Sequence, residues 1–221
     1  MTYSVAIDWL YSTQFFGVKL GLANPKRMLR EYLAFPPPRT KIIHVAGTNG
    51  KGSTCAFIDS VARAAGTRTG LFTSPHLVRY SERIRVAGME ITEDEISRHL
   101  TALRALVTDW DPHPTFFEIS LALALRHFSE RNCELVILET GMGGRLDATT
   151  AVPADVAVTP VTPAPPNTTP VAESVSGSGF CFSTGKSYSF SMRKTCKFPK
   201  LMPIKSDFWA SEARRKIRFK N

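Results

Sequence analysis

The sequence predicts an α/β fold with a parallel sheet, and three observations indicate this class. An apolar run at 42–46 leads into a glycine-rich loop at 47–52, and an amphipathic segment follows at once. Further strand-like and helical patterns then alternate as far as residue 159, which is typical of parallel strands joined by right-handed crossovers. Beyond residue 160 the composition changes. We therefore predict one domain at 1–160 and a disordered, low-order basic tail at 161–221.

The first half of the predicted domain contains signals for two helices, two strands and a hairpin. Asn24 followed by Pro25 is a favourable helix start, because Asn is a good N-cap and Pro fits the first helical position. The three prolines at 36–38 are expected to end that helix. The elements after it are a strand at 41–46, a helix at 51–65, a strand at 68–72 and hairpin strands at 84–86 and 89–91.

The second half contains two helices that open with capping boxes. Thr92 with Glu95 begins the first, and Thr115 with Glu118 begins the second. The second helix is apolar on all sides, so we expect it to be buried over most of its surface. Apolar strands at 135–138 and 155–159 complete the predicted sheet, and Glu139 directly follows the first of them.

The loop at 47–53 reads G-T-N-G-K-G-S, a composition typical of phosphate binding. Glycines let backbone N–H groups approach phosphate oxygens, the following helix contributes its positive end, and Lys51 supplies a mobile charge. The spacing differs from the common G-x-x-x-x-G-K-[ST], because Val45 stands at the first glycine and Gly52 follows the lysine. The structural alternative is a glycine turn that happens to hold a lysine.

Composition limits the classes of protein and the compartment. No run approaches the roughly 20 apolar residues of a membrane helix, and the N-terminus lacks the pattern of a signal peptide. The four cysteines show no paired spacing, so we expect free thiols and a cytoplasmic location. Residues 1–150 carry 17 Lys and Arg against 15 Asp and Glu, whereas residues 151–221 carry 11 against 4. The basic excess therefore belongs to the tail.

Several polar residues stand where predicted parallel strands end, which is where ligands bind in such sheets. Ser74 follows the strand at 68–72, and Glu139 ends the strand at 135–138. An acid at this position is typical of a Mg²⁺ site beside a nucleotide. Each residue also has a structural interpretation: Ser74 in an ordinary turn, Glu139 as a solvated strand end, Asp147 in a surface ion pair with Arg145, and Phe116 and Phe117 in the core.

Five motifs follow one another along the chain: H-V-A-G-T-N-G-K-G-S-T at 44–54, T-S-P-H-L at 73–77, S-E-R-I at 81–84, T-F-F-E at 115–118 and E-T-G-M-G-G-R-L-D-A-T at 139–149. In this order they resemble the folylpolyglutamate synthase/dihydrofolate synthase family of Mur-ligase-like ATP-dependent ligases. The resemblance covers about residues 20–159 and implies the Mur-ligase-like variety of P-loop domain.

The resemblance implies an enzyme that adds L-glutamate to dihydropteroate or folate in folate biosynthesis. ATP, the co-substrate, would convert a carboxylate into an acyl phosphate, with Mg²⁺ as cofactor. Lys51 and Glu139 would be catalytic, and Ser74 with Glu139 would bind the metal. The implied ATP contacts are Thr48, Asn49, Gly50, Lys51, Gly52 and Ser53. The implied substrate contacts are Thr115, Phe117, Glu118, Leu146 and Asp147.

The sequence departs from the family pattern after Thr149. Thr150 stands where the family has Asn, and no histidine follows His127. We expect the family's second metal histidine, its lysine segment and its C-terminal domain to have no counterpart here. We therefore expect an incomplete domain and a truncated, impaired ligase. The alternative is a nucleotide-binding fragment without activity. One hypothesis for the change is a shifted reading frame near Pro160.

The expected partners are small molecules only. The basic segment at 194–220 has few aromatic residues, so an arm for RNA or membrane phosphates is a weaker interpretation than a solvated tail. We therefore predict no membrane or nucleic-acid partner, and a monomer.

Overall fold

The computed structural model describes residues 1–17, 21–33, 37, 39–161 and 179–183, with the backbone alone at 16, 161 and 179–183. Most of the predicted tail at 161–221 therefore lies outside the described residues, and its order stays a prediction. The same holds for two of the three prolines predicted to end the first helix.

Among the described residues, seven strands form one sheet in the order β4-β3-β2-β5-β1-β6-β7. Strands β2, β5, β1, β6 and β7 run parallel, as the alternation of strands and helices predicted. The strands are β1 at Lys41–Val45, β2 at Thr69–Phe72, β3 at Ile84–Val86, β4 at Met89–Glu90, β5 at Leu135–Glu139, β6 at Val156–Val161 and β7 at Gly179–Ser183.

The two edges of the sheet differ in how well the sequence predicted them. At one edge β3 pairs antiparallel with β2 and β4, which is the predicted hairpin. At the other edge β7 pairs parallel with β6. No strand was predicted in the tail, so this five-residue strand is a correction to that prediction.

Five α-helices of the described chain surround the sheet: α1 at Tyr3–Ser12, α2 at Ala23–Met28, α3 at Lys51–Ala64, α4 at Glu93–Val107 and α5 at Phe116–Glu130. The predicted start of α2 is wrong, because the helix begins at Ala23 with Leu22 as N-cap. The Asn24 side chain instead donates to the carbonyl of Pro112 at 3.1 Å. Both capping boxes are present at the predicted threonines. Helix α1 was not predicted.

The sheet carries a different helical layer on each face. Alternate strand residues, such as Val136 and Leu138, pack with α1, α2, α4 and α5 into a large core. The intervening residues, such as Ile137, pack against Cys55 of α3 on the opposite face. Ten of the fifteen residues of α5 are buried, so the expectation that this helix is enclosed on most sides is confirmed.

Among the described residues, no helix is long and apolar enough to cross a membrane. The carboxyl ends of β1, β2, β5 and β6 lie along the same side of the sheet, since these strands are parallel and adjacent. The loops that follow them carry the residues singled out by the sequence.

Candidate nucleotide and substrate site

The glycine-rich loop connects β1 to the start of α3. Gly50 is the N-cap of α3 with a φ of +75°, a conformation that favours glycine. No side chain caps this helix within the described structure, so the N–H groups of its first turn stay available to a ligand. The Lys51 ammonium donates to the carbonyl of Gly47 at 3.0 Å. The loop thus presents backbone donors and one cation together, which suits an anion.

Glu139 and Ser74 meet beside this loop. Strands β5 and β2 are neighbours, and the backbone N–H of Ser74 donates to Glu139 Oε2 at 3.0 Å. A Cβ placed on Gly52 would lie 3.6 Å from Glu139 Oε1, so the carboxylate lies against the start of α3. Glu139 is buried, and this burial raises its pKa, although the Ser74 amide and Lys51 act in the opposite direction.

Ser74 also lines a cavity of about 400 Å³, a size suited to a small organic ligand. All five residues predicted to contact substrate line this cavity: Thr115, Phe117, Glu118, Leu146 and Asp147. Most of the other lining residues had no predicted role; they include Gln14, Gly17, Arg83, Phe116, Gly141 and Met142.

Phe117 is held at the cavity wall by close packing with Gly141. A Cβ added to Gly141 would lie 2.7 Å from Cζ of the phenyl ring, so only glycine fits here without a shift. On its other side the ring contacts Phe72, with 5.6 Å between centroids. The ring therefore has a fixed position from which a planar ligand could be contacted.

Thr115 and Glu118 form the capping box at the start of α5. Glu118 Oε2 accepts hydrogen bonds from the backbone N–H and the hydroxyl of Thr115, at 2.7 and 3.0 Å. Both residues are buried. Their first role is therefore structural, and any contact with a ligand must use the remaining carboxylate oxygen or the outer face of the threonine.

Asp147 likewise organises the loop that follows β5. Its carboxylate accepts from the N–H groups of Met142 and Thr149, both at 2.9 Å. It also accepts from the Thr149 hydroxyl at 2.6 Å, and that hydroxyl lies 2.6 Å from His44 Nε2. The alternative of an ion pair with Arg145 is wrong, since no such pair occurs within the described residues.

The donor set for a cation is small. Among the described residues no group of three or more His, Cys, Asp or Glu side chains could hold a metal. Glu139 with Ser74 is the combination that fits Mg²⁺, since this ion commonly takes one or two protein oxygens and completes its shell with water and phosphates. Glu139 pairs with no cation at ion-pair distance in this part of the chain.

A sequence search and a structure search find relatives of the same kind. The dihydrofolate synthase/folylpolyglutamate synthase of Bacillus subtilis is 41% identical over 162 residues, which is 68% of this chain and 36% of that protein. The folylpolyglutamate synthase structure from Thermotoga maritima has a TM-score of 0.65 at 33% identity, covering 71% of this chain and 37% of its own. A scan against protein-family models finds no match.

A third comparison bears on ligands. The bifunctional folylpolyglutamate synthase/dihydrofolate synthase of Yersinia pestis, solved in complex with AMPPNP and a Mn ion, has a TM-score of 0.63 at 40% identity. It is matched over 72% of this chain and 38% of its own. The chain therefore spans a little over a third of the length of these relatives.

The parallel sheet, the loop at 47–53 and the start of α3 define a P-loop domain of the Mur-ligase-like type. Within that class, sequence and structure agree on one group of relatives. The chain belongs to the folylpolyglutamate synthase/dihydrofolate synthase family.

Proposed function

We propose that the chain binds ATP at the loop that joins β1 to α3. The phosphates would lie against the backbone N–H groups of residues 48–53, with Lys51 offsetting their charge. Support comes from the uncapped start of α3 and from the position of Lys51 over the loop carbonyl. The Yersinia pestis relative was solved with an ATP analogue, which favours the same ligand here.

Ser74 and Glu139 are proposed to hold Mg²⁺ beside these phosphates. A bound Mg²⁺ would supply charge neutralisation for phosphoryl transfer. Glu139 suits the part because its carboxylate is buried, unpaired with any cation among the described residues, and adjacent to Gly52. The backbone N–H of Ser74 donates to the Glu139 carboxylate, so the two residues lie side by side.

We propose that the cavity beside Ser74 takes dihydropteroate or folate. The Phe117 ring offers a flat apolar surface, and the carboxylates of Glu118 and Asp147 offer acceptors at the same wall. In the proposed ligation a carboxylate oxygen of this substrate attacks the γ-phosphorus of ATP and releases ADP. The amine of L-glutamate then attacks the acyl carbon and releases phosphate.

One observation carries this proposal: the phosphate loop and the aromatic cavity meet at Ser74. Ser74 lines the cavity and also bonds Glu139, which lies against the first turn of α3. A substrate carboxylate in the cavity is thereby brought toward the nucleotide, and such orientation can lower a barrier by ~7–11 kcal/mol. The test is ADP release by the purified chain with dihydropteroate, L-glutamate and Mg²⁺-ATP, compared with Lys51→Ala.

A second candidate is nucleotide binding without ligation. Phosphate recognition needs the backbone amides of the loop, the Lys51 ammonium and the Glu139 carboxylate that the Ser74 N–H holds. All of these belong to the described residues. ADP release that depends on both dihydropteroate and glutamate would favour the ligase, and ATP binding without that release would favour the second candidate. We also retain the proposed division into an ATP-binding domain at 1–160 and a basic tail at 161–221.

A further inference from the structure

Arg83 is a buried cation that no carboxylate of the described chain neutralises. The residue is 8% exposed, and it takes part in none of the ion pairs between described residues. Buried charges are normally paired, because removing an ion from water is costly unless an opposite charge compensates. An anion from outside this part of the chain is therefore the expected partner.

The guanidinium is held in one orientation by neutral groups. Its Nε donates to His76 Nδ1 at 2.6 Å, and His76 Nε2 lies 3.2 Å from the hydroxyl of Tyr11. The guanidinium carbon lies 5.2 Å from the centre of the Phe116 ring, which stacks in turn on Tyr11. These contacts use Nε and one face, so the two terminal nitrogens stay available as a fork for a carboxylate.

Arg83 lines the proposed substrate cavity, and its backbone lies beside the segment that leads to Ser74. It lines the same cavity as Ser74, Phe117 and Leu146. Its backbone carbonyl accepts from the N–H of Thr73 at 3.0 Å, which sets Arg83 beside the residue that precedes Ser74. The cavity thus combines aromatic and apolar walls with the carboxylates of Glu118 and Asp147 and the cation of Arg83.

We propose that Arg83 binds the carboxylate of an aromatic acid held in this cavity and so decides which end of the acid points to the nucleotide. Tyr11 and His76 act as positioning residues for its guanidinium. The apolar walls contact the ring system of the ligand, and Arg83 offsets the charge of its acid group. This inference rests on the proposed function, because it assumes that a pteroate-like acid enters the cavity.

The test compares an acid with its neutral analogue. Pteroate and pteroate methyl ester are titrated against the full chain and followed by protein fluorescence. The parent is expected to bind the acid about 10- to 100-fold more tightly than the ester, as for a hydrogen-bonded charge pair. Arg83→Gln should remove this preference while leaving ester binding unchanged. Arg79→Gln, at an exposed neighbouring arginine, should keep it.

The outcomes separate the two proposals. If the parent binds neither ligand, both the proposed substrate and the role of Arg83 fail. If it binds acid and ester equally, or if Arg83→Gln weakens both to the same degree, the cavity is a ligand site but Arg83 does not recognise the carboxylate. Inorganic phosphate that competes as well as pteroate would also overturn the assignment. Should Arg83→Gln not fold, Arg83→Met takes its place, and an undiminished preference for the acid then contradicts the inference.

Discussion

The backbone N–H of Ser74 donates a 3.0 Å hydrogen bond to the carboxylate of Glu139, joining the ends of two adjacent parallel strands. This bond fixes a buried carboxylate beside the first turn of α3, at the boundary between the phosphate loop and the aromatic cavity. The pair is local in space but 65 residues apart in sequence. Its geometry explains why the two halves of the site lie together.

Glu139→Gln is expected to remove the effect of Mg²⁺ on nucleotide binding. An amide keeps the shape of the side chain but loses the negative charge that attracts a hard cation. ATP affinity is measured with Mg²⁺ and with EDTA in parent and variant. Glu134→Gln serves as control, because Glu134 is exposed near the opposite end of the same strand. A Mg²⁺ effect that persists in Glu139→Gln would contradict the proposed metal site.

Lys51→Ala is expected to weaken Mg²⁺-ATP binding by about 10- to 100-fold, the usual size of one charge-assisted hydrogen bond. The lysine follows Gly50 at the start of α3, and its ammonium contacts the Gly47 carbonyl in the described structure. Calorimetric titration of parent and variant measures the change. Lys26→Ala, at an exposed lysine of α2, should leave affinity unaltered; equal losses in both variants would point to nonspecific charge attraction.

The elements that sequence predicted best were those with a local signal. The strand ending in Glu139 and the helices capped by Thr92 and Thr115 were predicted because apolar runs and capping boxes depend on near neighbours. The predicted cap at Asn24 was wrong because the helix begins one residue earlier, at Ala23, and the Asn24 amide donates to a carbonyl 88 residues away. Tertiary contacts of this kind override local preference.

The sequence predicted which residues belong to the site but not how they are arranged in space. The five residues predicted to contact substrate were named from the resemblance, and all of them line one cavity. The S-E-R-I motif was noticed, yet Arg83 received no role, because its lack of a carboxylate partner is visible only when the surrounding residues are assembled. The same holds for Gly141, whose closeness to Phe117 depends on how α5 packs against the loop after β5.

The stability of the chain is expected to fall as pH drops from about 6.5 to 4, in part because of His99. Burial, with a further contribution from Arg98, lowers the pKa of His99 to about 4. The ordinary value in an unfolded chain is about 6.5. Within this window the unfolded state takes up a proton that the folded state does not, so the free energy of unfolding decreases with acidity.

His99→Gln should remove this part of the pH dependence. The expected contribution is about 3 kcal/mol between pH 7 and pH 4, from the difference between the ordinary pKa of about 6.5 and the pKa of about 4 in the folded protein. Urea unfolding of parent and variant across this range measures it. His127 also has a pKa lowered by burial, so a residual slope is expected in the variant. Curves for parent and variant that run parallel from pH 7 to pH 4 would show that His99 titrates normally.

Gly141→Ala is expected to lower stability and to weaken binding of pteroate. The new Cβ would stand 2.7 Å from the Phe117 ring, so either the loop or the ring must move, at a cost of about 1 to 3 kcal/mol. Gly144→Ala is the matched control in the same loop, because a Cβ there meets no atom within 4 Å. Urea unfolding and pteroate titration measure both effects.

The clash predicts a specific rescue. Phe117→Leu removes the outer ring atoms that the added methyl group meets, so the double variant Gly141→Ala with Phe117→Leu should lose less stability than the sum of the single changes. Ligand binding should not recover with stability, because the flat ring is absent from the cavity wall. If the two changes add without coupling, the close approach of Gly141 to Phe117 is not what requires glycine at this position. If pteroate binding recovers fully in the double variant, the ring does not contact the ligand.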